Sequence, residues 1–306
     1  MSQLALGVSP HLRSARTTQK VMLDVIIALV PALIASVIFF GAGALLRVLI
    51  SAAVCVFFEW GWEKIMKQPC TASDLSAVVT GILIAYNVPC GMPIWQLIVG
   101  DFCAIIGVKM LFGGLGCNFM NPALVGRIVM MFSFTTSMTT YKYVGAFDAF
   151  SSATPLGAGT LGWDSFLTLF IGNHAGVIGE TSALAILIGG IYLCIRKVIK
   201  PIIPLCYLGS LALFSWLFGG STPILSIFMG GAMLGAWFMA TDYVTSPFTN
   251  KGKVIFGLGC GFVTAAIRVF GNYAEGVTFA ILLMNLFVPY INNGTRSKPL
   301  GGVTEK

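Results

Sequence analysis

Ten apolar runs, most of them joined by short polar links, leave this chain few ways to fold. They lie near residues 21–40, 45–60, 76–88, 94–112, 123–137, 182–195, 202–218, 224–240, 254–270 and 277–290. A helix that spans a bilayer needs about 20 mainly apolar residues, whereas a membrane barrel would show short alternating segments. Composition agrees with helices. Of 306 residues, 57% are hydrophobic and 9% charged, with a mean hydropathy of +0.90, against about 25% charged in a soluble domain. So few charges cannot cover a soluble surface, so lipid is the expected solvent. The expected fold is all-α: one polytopic integral membrane domain over residues 1–306, with about ten transmembrane helices. Runs that are short or carry Gly or Pro read as tilted, broken or re-entrant segments, which lipid tolerates where protein or a cavity covers the backbone.

The net charge of +7 does not form a nucleic-acid patch. Basic residues instead cluster between the runs, as membrane topology requires. With Arg13, Arg16 and Lys20 in the cytoplasm, ten crossings put Lys64, Lys67, Arg196, Lys197, Lys200, Lys251, Lys253, Arg296 and Lys298 there too. The links left outside hold Lys142 against Asp148, Asp164, Glu180 and Glu275. The halves, about 21–140 and 182–291, then have five spans each and are inverted relative to one another, a plan common in transport folds. An outer loop, 141–181, joins them, and the tails 1–20 and 292–306 are cytoplasmic. No cleavable signal peptide is expected, because His11, Arg13, Arg16 and Lys20 lead straight into an apolar run. Two internal echoes are faint: Asp74-x-Ser76-Ala77 with Glu180-x-Ser182-Ala183, and Leu115-Gly116-x-x-Phe119-Met120 with Leu234-Gly235-x-x-Phe238-Met239.

Acids at membrane depth are costly and mark function. Asp101 sits inside the fourth run, while Asp74, Glu180 and Asp242 stand at span ends, where capping or snorkelling is the alternative. All four are candidates for an ion path. Glu59 and Glu63, one turn apart beside Lys64 and Lys67, read as a solvated ion-pair cluster. Asn118 and Asn121 follow a glycine-rich stretch and share a face if that segment is helical; such amides bind a polar heterocycle, cap a helix or join helices. Ser151, Ser152, Ala153 and Thr154 precede a proline, offering turn chemistry and also backbone amides and a hydroxyl to a phosphate. The eight cysteines contain no Cys-x-x-Cys pair and read as small buried hydrophobes, so no metal site is expected.

Taken together, the motifs resemble a known family. They are Ser9-Pro10-His11, Val79-Thr80-Gly81, Phe112-Gly113-Gly114-Leu115-Gly116, Asn121-Pro122-Ala123-Leu124-Val125-Gly126-Arg127, and Ala153-Thr154-Pro155-Leu156-Gly157. They continue with Ile178-Gly179-Glu180-Thr181-Ser182, Phe238-Met239-Ala240-Thr241-Asp242, Thr245-Ser246-Pro247 and Leu283-Met284-Asn285. In this order they resemble the D subunits of the Rnf complex and the homologous B subunits of the sodium-pumping NADH:quinone oxidoreductase. The resemblance implies a multi-pass subunit, in a bacterial inner membrane, of an ion-translocating ferredoxin:NAD oxidoreductase. It implies FMN joined through its phosphate to Thr154, although Ser152 replaces the glycine usual in that motif. It also implies a noncovalent riboflavin contacted by Asn118 and Asn121, transport of Na+ or H+ coupled to electron flow, and the Rnf C, G, E, A and B subunits as partners. The reading from another class is a channel or secondary transporter for a small polar solute, which inverted helical halves suit equally well.

Overall fold

The computed structural model describes residues 16–143, 150–151, 166–172, 174, 176–220, 224–271 and 276–296. Among them, helices occupy all ten apolar runs. The first five passages are α1 (Thr18–Phe40), α2 (Ala42–Ile65), α3 (Ser76–Tyr86), α4 (Ile94–Phe102) continued by a π-helical stretch Cys103–Met110, and α5 (Pro122–Ser133) with the short α6 (Thr135–Thr139). A short helix α7 (Phe166–Ile171) precedes the second five. These are α8 (Ala183–Ile195), α9 (Ile202–Leu217), α10 (Ala232–Leu234) with its π continuation Gly235–Met239, α11 (Asn250–Phe270) and α12 (Val277–Thr295). Four of them, α1, α2, α11 and α12, are by themselves long and apolar enough to cross a bilayer. The loop expected over 141–181 contains α7 and a two-residue antiparallel pair, β1 (Lys142–Tyr143) with β2 (Phe150–Ser151).

The helices are apolar on the outside and more polar within, the reverse of a soluble amphipathic helix. On α1 the outward stripe is Leu23, Ile27, Val30, Ile34 and Ile38, while Met22, Leu29, Ala32, Ser36 and Phe40 are buried. On α2 the outward residues include Leu46, Leu49, Phe57 and Trp60, and the buried stripe reads Ala44, Val48, Ser51, Cys55, Glu59, Glu63. Exposed leucine and isoleucine at helical spacing is the surface that lipid asks for, and every buried polar group must find its partner inside.

Contacts between passages fix their directions. The face where α1 begins, here the near face, also holds the end of α8, because Arg196 pairs with Asp24 at 3.2 Å and Arg16 reaches Arg196 O at 2.8 Å. Lys200 bonds Asn250 there at 3.1 Å, and Thr249 bonds Thr295 at 2.6 Å, which adds the starts of α9 and α11 and the end of α12. On the far face Arg47 holds Met92 O at 3.1 Å before α4, and Arg268 holds Ser226 O at 2.6 Å before α10. The ten passages therefore alternate, five before α7 and five after it, and the described chain starts and ends on one face. Of the basic residues expected on one side, Arg16, Arg196 and Lys200 meet their partners at the near face.

The echoes fare differently. Asp74 accepts from Ser76 N at 2.8 Å where α3 begins at the near face, and Ser182 Oγ accepts from Ala185 N at 3.3 Å where α8 begins at the far face. Similar residues thus open two oppositely directed helices. The stretch 115–120 is a turn, however, while 234–239 is helical, so the second echo is not a structural equivalence.

Close approach of α2 and α3 places the first-half site. A Cβ on Gly81 would stand 2.7 Å from both Ala52 Cα and Ser51 O, which are backbone atoms and cannot yield cheaply. Gly61→Ala meets nothing within 4 Å and is expected to be neutral or slightly stabilising, alanine being the better helix former. Gly81→Ala is expected to cost about 1–3 kcal/mol by overpacking. Thermal unfolding of both variants in detergent checks the pair; equal stability would show that α2 and α3 do not pack this tightly.

Candidate functional site

Two polar assemblies and one cavity lie inside this apolar shell. The first assembly is built on α2. Ser51, Cys55, Glu59 and Glu63 recur at every fourth position, so they form one face, and all are buried. Against this face stands the α4 passage, whose π-helical continuation carries Lys109, itself buried. Lys109 Nζ lies 2.8 Å from each Glu59 oxygen and donates to Ser76 Oγ. Thr71 bonds Glu63 through both its backbone N–H (2.9 Å) and its hydroxyl, and the same hydroxyl lies 3.4 Å from Glu59. Glu63 Oε2 is buried without a hydrogen-bond partner.

The glutamates are therefore not a solvated cluster with Lys64 and Lys67. Glu59 is fully buried and pairs with Lys109, 50 residues away, because a charge facing the bundle interior needs a partner there. Lys64 instead lies over the Trp60 ring at 4.9 Å.

Two turns farther along the same face is Asp101, with no exposed surface. Its Oδ1 is 2.7 Å from Ser51 Oγ, and its Oδ2 has no hydrogen-bond partner. Ser51 is nine residues into α2, a helix of 24 residues; at 1.5 Å per residue that is about 14 Å from its far end. Asp101 thus sits near mid-depth.

The second assembly is nearer the far face. Arg127 of α5 donates to Asn87 Oδ1 at 2.6 Å, where α3 ends and residues 86–88 pair with 177–179 through Gly179 N–Tyr86 O (2.9 Å) and Ile178 N–Val88 O (3.1 Å). Glu180 Oε2 and Arg127 Nη1 both lie against Gly231, at 3.1 and 3.4 Å from where its Cβ would stand. Arg268 feels the Glu180 charge as well. Glu180 Oε2 accepts no hydrogen bond.

The cavity opens near the beginning of α1 and has a volume of about 100 Å³. Its walls are Val21, Met22 and Val25 of α1, Ser76, Val79, Thr80 and Leu83 of α3, Lys109, Leu115, Asn118, Asn121, Leu193, Phe238, Thr241 and Asp242. The Phe112–Gly116 turn shapes it: Gly113, Gly114 and Gly116 have φ of 111°, 89° and 95°, which side chains rarely adopt. Asn118 and Asn121 do not share a helical face, since Asn121 is the N-cap of α5, accepting from Ala123 N at 3.0 Å. Asn121 also donates to Met239 O at 3.3 Å, and Asn118 to Met120 O at 3.1 Å. Both still line the cavity. Asp242 lines it too, closing a turn through Val244 N and Thr245 Oγ1 at 3.3 and 3.2 Å. Asp74 caps α3 and borders a second cleft at the near face.

The described sequence candidates thus divide among four places: Asn118, Asn121 and Asp242 at the cavity, Asp74 at the near-face cleft, Asp101 at mid-depth, Glu180 in the far assembly. Ser151 lies on β2, paired with Lys142. Ser152, Ala153 and Thr154 lie outside the described residues. Lys109, Arg127 and Arg268 escaped the reading of the sequence, although a lysine or arginine inside an apolar run already signals a buried partner, given its cost at membrane depth.

Comparison with known proteins now decides the family. A family model described as the NQR2, RnfD, RnfE family matches residues 5–301. The chain belongs to this family. It is 45% identical to the D subunit of the Na(+)-translocating ferredoxin:NAD(+) oxidoreductase complex of Acetobacterium woodii, covering 100% of this chain and 98% of that protein. It is 39% identical to the D subunit of the proton-translocating ferredoxin:NAD(+) oxidoreductase complex of Clostridium ljungdahlii, over 97% and 96% of the two chains. The D subunit of the ion-translocating oxidoreductase complex of Actinobacillus succinogenes is 35% identical, over 97% of each.

In the far assembly, Arg127→Met leaves the Glu180 carboxylate short of a buried counter-charge. Breaking such a buried arrangement costs about 3–5 kcal/mol. The expected result is a marked fall in detergent unfolding temperature, partly recovered by Arg127→Met with Glu180→Gln. Additive losses would show that the two charges are not coupled.

Proposed function

We propose that this chain is the D-type membrane subunit of an Rnf-like complex, carrying electrons between flavin sites while the complex moves Na+ or H+. The end-to-end match to D subunits carries the reading, and a cavity bounded by amides, one lysine and apolar walls supports it. By the positive-inside rule the near face is cytoplasmic, which puts both termini inside and the 142–165 segment outside, in a bacterial inner membrane. The partners are the other Rnf subunits.

The cavity suits a noncovalent isoalloxazine such as riboflavin. Val79, Leu83 and Phe238 offer apolar contact, Asn118 and Thr80 offer polar groups for a ring edge, and Lys109 offers a nearby positive charge. Much of Asn121 is engaged in capping α5, so Asn118 is the better candidate contact. A flavin would supply one- and two-electron chemistry; the protein's part is to hold it, exclude water and set its potential. Thr154 is the proposed attachment point for FMN, with Ser151, Ser152 and Ala153 beside the phosphate; at the outer side it would be open to a modifying enzyme working there.

Asp101 is the strongest candidate for ion movement. Ser51 has one hydroxyl hydrogen and two acceptors, Asp101 Oδ1 at 2.7 Å and Gly81 O at 2.9 Å. An ionised Asp101 takes that hydrogen; a protonated one donates to Ser51, which then turns to Gly81. The site therefore has hydrogen bonds ready for either state. Glu180, with an oxygen that accepts no bond, is the far-side candidate, while Asp74 holds the start of α3 and Asp242 closes a turn.

Purified protein should be yellow, and a tryptic peptide spanning Thr154 should carry the FMN mass and lose it in Thr154→Val. Colourless, folded protein would sink the redox reading, and the mass on Ser151 or Ser152 would move the attachment point. Asp101→Asn keeps size and removes the titratable charge, so ion transport should fall while flavin content holds. Undiminished, coupled transport would leave Asp101 a packing role.

A further inference from the structure

The near-face cleft and the cavity are separate openings, yet one string of side chains touches both. Glu63, Thr71 and Asp74 border the cleft, whose volume is about 670 Å³. Ser76 and Lys109 line the cavity. Between them lies Glu59, paired with Lys109 and within reach of the Thr71 hydroxyl. We propose that Glu63 and Thr71 form a proton relay from the near-face cleft to Glu59, the partner of Lys109 at the cavity wall, compensating the charge an occupant gains on reduction. This rests on the flavin reading of the cavity.

Counting hydrogens supports a relay over a static brace. A lysine ammonium has three, and here two meet the Glu59 oxygens and one meets Ser76 Oγ, which in turn donates to Asp74 at 2.6 Å. Thr71 has one hydroxyl hydrogen facing two carboxylates, so it can serve Glu63 or Glu59 but not both. A proton reaching Glu63 passes to Thr71 Oγ as the Thr71 hydrogen moves to Glu59. Glu63 Oε2, buried and unpartnered, leaves an acceptor available at the entry.

Charge points the same way. Around Glu59 stand Lys109, Glu63 and Asp74, with Cys55 deeper along α2 and then Asp101 of α4 beside Ser51. Glu59 and Glu63 are both buried, and with both ionised they outnumber the buried Lys109 by one charge. Buried charge short of counter-charge is costly, so the group has room for a proton. An occupant that turns negative draws on Lys109, weakens its hold on Glu59, and makes protonation of Glu59 favourable. One electron enters from the reduced partner protein and one proton enters from water in the cleft. Both leave on reoxidation, and no covalent bond in the relay is changed at the end of the cycle.

The test uses the intact complex and redox titration of its noncovalent flavin between pH 6 and 9. In the wild type the midpoint should fall with pH as one proton per electron requires. Glu59→Gln should flatten that dependence while retaining flavin, and Lys109→Gln should lower the midpoint. Glu63→Gln should keep the equilibrium dependence but slow proton uptake after rapid reduction, on the order of a hundredfold, as loss of a positioned acid–base group does. Flavin present with the same pH dependence in Glu59→Gln overturns the relay alone. Should Glu59→Gln fail to assemble, an undiminished uptake rate in Glu63→Gln overturns it instead. Wild-type complex without noncovalent flavin overturns the cavity reading and the relay with it.

Discussion

Lipid offers no hydrogen bonds, and most of this architecture follows from that lack. Each polar group inside the bundle must be answered by another, so the polar residues turn inward and find one another across long sequence distances. Lys109 needs Glu59; Arg47 takes Met92 O before α4; Arg268 takes Ser226 O and Met229 O before α10. Where helices stop at depth, the backbone is answered too. The end of α3 pairs with the segment leading to α8, and Ser36 of α1 donates to Ile178 O. Broken helices are tolerable here because protein covers each break.

The same rule explains what could be read from the sequence. Apolar length and the grouping of basic residues located the passages and their alternation, since both respond to the bilayer itself and act locally along the chain. Asp101 was legible for a related reason: one acid in an apolar run is conspicuous. Lys109 was equally conspicuous, but its meaning depends on Glu59, and nothing local links the two. Glu59 and Glu63 were misread because their nearest neighbours in sequence are lysines. The better signal was the fourfold recurrence of Ser51, Cys55, Glu59 and Glu63, which marks one face of a helix and places both acids beneath Ser51 rather than in water.

Asn118 and Asn121 show how local backbone overrides the spacing of two residues in a sequence. Both border the cavity, but the glycines before them adopt positive φ values and the segment does not form the helix on which they would have shared a face. Asn121 instead starts α5, and in doing so ties that helix to Met239 O at the end of the π-helical stretch. One residue therefore couples the two halves at the cavity wall, and the capping and binding readings of that amide are not alternatives.

Relatives named for sodium and for proton translocation lie at 45% and 39% identity to this chain over nearly its whole length. Membership alone thus leaves the ion open, and chemistry must separate the cases. A bare Na+ needs several oxygens converging on one point, whereas a proton needs only a chain of groups that can each give and accept one. The α2 assembly has the second character: Thr71 stands between two carboxylates, Ser51 between a carboxylate and a carbonyl, and Lys109 fills one Glu59 face that a cation would require. Proton handling close to the cavity is compatible with either transported ion, because charge compensation of a flavin and transport across the membrane are separable tasks carried by different residues.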